Sequence, residues 1–154
     1  MTEKLEKYKQ MKNLLLLFSV LFILSTISNA QELGIRFGDV SGGSVAVDGV
    51  FSLGSWSRIH ADVSFGEGGV GVDAIWNFLY RPISEEAFFW YAGVGAFTFL
   101  GTPFSLGAAG ELGLEYRFNQ VPISLSADWR PYLTIVEKTS FHAGSFGINV
   151  RYIF

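Results

Sequence analysis

Two short constellations in this 154-residue chain hold residue types suited to acid–base chemistry. Arg58, His60 and Asp62 stand at alternate positions, and a histidine beside a carboxylate can serve as a base and its orienter. The spacing places no nucleophile beside them, so a histidine satisfied within a polar network is the simpler reading. The second constellation is Phe141-His142-Ala143-Gly144-Ser145, where an odd separation puts His142 and Ser145 on opposite faces of a strand. With no cysteine and two distant histidines, a zinc site would have to be built from carboxylates alone. Ser41-Gly42-Gly43-Ser44 and Gly66-Glu67-Gly68-Gly69 read as hairpin loops rather than phosphate cradles, since neither lies between a strand and a helix. Glu85-Glu86 reads as a solvated turn.

The elements that must position these residues are strands. From Gln31 onward no window holds a helical period, and Gly, Asn, Asp and Pro clusters recur at the spacing of an all-β protein. Eight strands are expected, over Glu32–Gly38, Ser44–Ser52, Trp56–Phe65, Val70–Tyr80, Phe88–Leu100, Ser105–Phe118, Val121–Val136 and Ala143–Phe154. Most reach the 9 to 11 residues that a tilted membrane strand needs. Pro131 cannot donate to a sheet ladder, so the seventh strand is expected to bend there.

Parity separates two faces. One carries Leu33, Ile35, Phe37, Val45, Val47, Ile59, Val63, Val72, Trp76, Tyr80, Val94, Leu112, Leu114, Leu125 and Trp129. The other carries Arg36, Asp48, Arg58, His60, Asp62, Asp73, Asn77, Glu111, Glu115, Arg117, Ser124, Ser126, Asp128, Arg130, Asn149 and Arg151. In a soluble barrel the apolar set would turn inward; in a membrane barrel the pattern is inverted. Inversion is favoured by Gly34, Gly71, Gly93, Gly95, Gly107 and Gly113 on the wet face, by its near balance of five Arg against six acids, and by aromatics at strand ends. Phe51, Tyr80, Trp90, Tyr116, Phe118, Tyr152 and Phe154 fall towards one rim, and Phe37, Phe65, Phe97, Phe99, Phe141 and Phe146 towards the other, as two membrane interfaces select.

An eight-stranded bore is just wide enough for side chains to fill it, so inward charges must pair or bear a heavy desolvation cost. The expectation is a salt-bridged plug, with Asp128 and Arg130 beside Glu111, Glu115 and Arg117, and with Arg36 between Arg151 and Asp48. An ion-conducting or ligand-admitting lumen is the alternative.

The ends of the chain carry their own signals. Glu3 to Lys12 is charged, Leu14 to Leu24 is apolar except for Ser19, and Ser28-Asn29-Ala30 supplies small residues, the pattern of a secretory signal peptide cut after Ala30. Met11-Lys12-Asn13 before the Leu run makes the more ordinary leader, so Met11 is an alternative start. Residues 31–154 keep seven of the eleven Lys and Arg and twelve of the fourteen Asp and Glu, a net charge of 7 − 12 = −5, which argues against nucleic acid as a partner. At the other end Phe146, Ile148, Val150, Tyr152 and Phe154 alternate with Ser145, Gly147, Asn149 and Arg151, and the chain ends on the aromatic.

That ending resembles the C-terminal insertion signal of bacterial outer-membrane barrels, and the chain after Ala30 resembles eight-stranded barrels similar to outer-membrane proteins A and X, or the short barrels of Bacteroidota-type Gram-negative bacteria. The resemblance rests on strand count, face pattern, leader and Tyr152-Ile153-Phe154. It implies an eight-stranded antiparallel up-and-down transmembrane β-barrel with a cleaved N-terminal signal peptide over 1–30 and the barrel over 31–154. Both termini would be periplasmic, with outer-membrane lipid and the barrel assembly machinery as partners. The sequence departs from that pattern in its short outer loops and in its longest connection, Arg81–Ala87, which would be periplasmic. A structural or interaction role in the cell envelope follows, with no catalytic residues, cofactor or metal. Its rivals are a narrow porin-like channel, a lipid A modifying enzyme and a soluble lipocalin-like barrel. His142 and Ser145 faintly resemble the pair in lipid A deacylases, but no matching Glu is evident.

Overall fold

Alternating side chains give each segment one apolar and one polar face, and such a two-faced sheet is relieved of its open edges by closing on itself. The computed structural model describes residues 31–154 apart from Glu67, Glu85, Glu86 and Glu137; the leader and its cut after Ala30 lie outside the described residues. The strand segments are β1 (Glu32–Val40), β2 (Gly43–Ser52), β3 (Arg58–Gly66), β4 (Gly69–Pro82), β5 (Phe88–Leu100), β6 (Ser105–Arg117), β7 (Ile123–Trp129), β8 (Tyr132–Thr134), β9 (Ser140–His142) and β10 (Phe146–Ile153). Each pairs antiparallel with its neighbours in the order β5-β4-β3-β2-β1-β10-β7-β6, and the β5–β6 pairing closes the ring.

The ten segments make eight staves, because β8 carries β7 onward along β6 while β9 precedes β10 and pairs with β8. The expected bend at Pro131 is therefore present, as the gap between Trp129 and Tyr132. The last expected strand, Ala143–Phe154, is shorter: β10 starts at Phe146, and β9 lies in the stretch that the expected strand bounds leave between Val136 and Ala143. Of the expected strands, Phe88–Leu100 matches its observed bounds, while β4 runs on to Pro82.

The faces sort as an inverted barrel. Val47, Val94, Leu114 and Ile148 are 51%, 54%, 56% and 59% exposed on the outside, whereas Arg36, Asp48, His60 and Asn149 are fully buried within. Two aromatic residues depart from their expected places, one through a ladder irregularity and one through plain alternation along β5. A register shift between Trp76 and Leu79 turns Tyr80 inward, where its hydroxyl donates to Glu115 at 2.8 Å, so Tyr80 does not belong to the apolar outer face. Phe97, expected in a girdle, lies buried with Ile75 and Ala109, and Tyr132 packs against them. Along the rim that holds Gln31 and Phe154, the chain ends of the described residues, Phe88, Tyr116 and Phe118 form a run of rings 4.7 and 4.9 Å apart, and Tyr152 and Phe154 pair at 5.1 Å. Phe65, Phe141 and Phe146 stand exposed towards the opposite rim.

Candidate functional site: a charged network in the lumen

Inward glycines make room for large inward side chains. A Cβ at Gly113 would fall on the Tyr91 ring, and one at Gly147 on the Arg36 guanidinium. The filled space brings together every residue expected in the plug: Arg36, Asp48, Arg58, His60, Asp62, Asp73, Glu111, Glu115, Asp128, Arg130 and Arg151 are all buried, and Arg117 is half-buried at one end. The plug holds one residue beyond those expected. Glu32, at the very start of β1, is fully buried and pairs with Arg117 while accepting from Ser124 at 2.8 Å.

The network runs the length of the bore. Near the rim away from the chain ends, Arg130 reaches Asp62 at 2.5 Å, Asp73 at 3.1 Å and Glu111 at 2.5 Å. At the centre the His60 ring lies between two carboxylates, Nδ1 at 2.9 Å from Glu111 and Nε2 at 2.8 Å from Asp48. The second of these is an ion-pair distance whose direction leaves Asp48 Oδ1 without a hydrogen bond. Towards the chain ends Glu115 gathers Arg58 at 2.8 Å, Arg117 at 2.8 Å and Arg151 at 3.3 Å. Beneath them Arg58 lies 4.2 Å from the Tyr80 ring centre and 4.6 Å from that of Tyr91.

One expected pairing is corrected. Arg36 does not face Arg151 and Asp48; its neighbours across the ladder are Asn149 and Ala46, and its guanidinium donates to Asp128 at 2.6 Å. The residue that lies between Arg151 and Asp48 is Gly34, which has no side chain to separate them. Parity placed Arg36 on the right face but could not give its rung.

Comparison of the chain with protein-family models, with curated proteins and with solved structures returns no match.

Function must therefore be argued from the geometry. The donor set of a metal centre exists on paper, since Asp48, His60 and Asp62 each offer a ligand atom within 4.8 Å of the others. It does not suit a cation: Arg151 Nη2 already stands 3.1 Å from His60 Nε2 and Arg130 Nη1 2.5 Å from Asp62. Nor is it a nucleophile–base pair, because the histidine is engaged on both nitrogens by carboxylates and guanidiniums. Arg36 Nε and Nη2 and Asp128 Oδ1 are buried without a protein partner, the least satisfied corner of the network.

The second constellation is rearranged. Parity set His142 and Ser145 on opposite faces, but the irregular stretch between β9 and β10 brings both to the wall of one cavity at the rim. His142 stacks on Tyr132 with ring centres 5.0 Å apart, and buried Ser145 donates to the Asp39 carbonyl at 3.3 Å.

Proposed function

We propose that the chain is an integral β-barrel protein of the bacterial outer membrane, with a structural or interaction role in the envelope and a lumen shut by paired charges. The carrying observation is the inverted burial. Full-length Arg, Glu and Asp side chains fill the interior while Val, Ile, Leu and aromatic residues face out on nearly every strand. In water that outer surface would be an exposed apolar area of a kind soluble monomers avoid; in lipid it is the required one. The signal-peptide pattern before Gln31, the aromatic rims and the alternation of Phe146, Ile148, Val150 and Tyr152 outward support the same reading. It assigns lipid and the assembly machinery as partners, and no catalytic step or cofactor.

The test is to express the chain with its leader, collect the outer-membrane fraction and compare gel mobility in detergent before and after boiling. A processed, membrane-bound protein whose mobility changes on boiling is the expected result. A protein that stays soluble without detergent and shows no shift would overturn the reading and turn the search to a soluble barrel.

A further inference from the structure

Three irregularities of the sheet converge on the rim away from the chain ends. Gly38, at φ +133°, sits in a register shift of β1 that brings Asp39 to the mouth of the barrel. The break at Pro131 starts β8, and the break before Phe146 separates β9 from β10. Bulges and breaks at a barrel rim re-aim side chains, and here they surround a cavity of about 320 Å³. Its floor is the buried set Asp73, Phe97, Ala109 and Arg130, so it is a cup closed by the plug.

The chemistry of the cup is one-sided. Among the described residues Arg130 is the one lining residue with a permanent positive charge, and its guanidinium is spent on Asp62, Asp73 and Glu111. Asp73 is spent on Ser41, whose hydroxyl donates at 2.5 Å, and on Arg130. Asp39 is different: it is exposed at the mouth, its backbone carbonyl accepts from Ser145, and among the described residues no side chain pairs with its carboxylate. Beside it stands an aromatic wall, the Tyr132 ring stacked on His142 and set edge-on to Phe97 at 5.3 Å. An anion would meet a carboxylate with no free guanidinium to hold it. A cation would meet an uncommitted carboxylate and aromatic surface.

We propose that this cup is a binding site for a compact organic cation, an amine-type ammonium carried on a small apolar body. The apolar body lies against Tyr132 and Phe97, and the ammonium reaches the Asp39 carboxylate. Its volume sits at the small end of ligand sites, which limits the ligand to roughly ten non-hydrogen atoms. The site stands on the rim geometry and is the same whether the barrel stands in lipid or in water.

The folded full-length barrel is titrated with 2-phenylethylammonium, followed by NMR shifts or intrinsic fluorescence, with 2-phenylethanol and phenylacetate as matched neutral and anionic probes and protein-free solution of the same detergent as blank. Saturable binding of the ammonium, weaker binding of the alcohol and none of the carboxylate is expected. Asp39→Asn should weaken the ammonium about fivefold while Asp39→Glu keeps most of it. Each variant is first checked for wild-type fold by its circular dichroism. Equal binding of alcohol and ammonium, an unchanged affinity in correctly folded Asp39→Asn, or no saturation by the ammonium overturns the proposal.

Discussion

Arg151 and Asp48 meet across a strand to which neither belongs. Gly34 of β1 is the ladder neighbour of both, and over its missing side chain the Arg151 Nε comes within 2.5 Å of Asp48 Oδ2. The two residues are 103 positions apart, and both are fully buried. Their contact ties β10 to β2 over the strand that joins the two ends of the barrel.

Removing one partner strands the other charge in the bore. Arg151→Met should lower unfolding stability by about 3–5 kcal/mol, measured by denaturant titration in detergent, because Asp48 and Glu115 both lose a cation. Adding Asp48→Leu should recover part of that loss. A single substitution with no measurable cost would mean that the pair carries no weight in the folded barrel.

Gly113 leaves room in the wall for the Tyr91 ring. Gly113→Val puts a side chain on Tyr91, which must leave its place beside Arg58, and a loss of about 1–3 kcal/mol is expected. Gly110→Ala is the control, since its Cβ would make only an ordinary contact with Pro131 at 3.6 Å. Thermal unfolding of the two variants side by side distinguishes a packing effect from a general intolerance of the sixth strand.

The plug should also stop current. Purified barrel in a planar bilayer is expected to be silent, since the lumen carries fully buried charges along its length. The double variant Glu111→Ala, Arg130→Ala removes a hub that holds Asp62, Asp73 and His60, and should give reproducible openings. Conductance from the unaltered protein would count against a sealed lumen.

Phe154 ends the chain 69% exposed beside Tyr152. On the proposed membrane reading, Phe154→Ser should cut the yield of boiling-sensitive barrel in the outer membrane severalfold without preventing leader removal. Normal yield would remove the insertion-signal argument and leave the rest of the fold untouched.

How much of this was legible differs from residue to residue. The buried face of β3, with Arg58, His60 and Asp62, could be read directly, because a regular strand exposes every second residue to the same side. Tyr80 could not: a shift of one residue in β4 turns the remainder of the strand over, and nothing in Trp76-Asn77-Phe78-Leu79-Tyr80 marks the place. Pro131 marked its own break because it lacks the donor a ladder needs. Glu32 shares the parity of Gly34 and Arg36 and was legible as an inward residue, though the expected plug does not include it. His142 and Ser145 were separated by a rule of parity that fails across an interrupted strand.

Residue order alone is enough for the all-β character, the number of staves, the two opposed faces and the identity of nearly every charge that turns inward. These follow from local geometry, in which each residue's side is fixed by its neighbours along the strand. The folded barrel was needed to show which carboxylate meets which guanidinium, that Arg36 serves Asp128 rather than Asp48, and that Asp39, Tyr132 and His142 share one cup. Those contacts cross the bore between strands far apart in the chain. They depend on register, closure and bulges, which sequence spacing along a single strand does not encode.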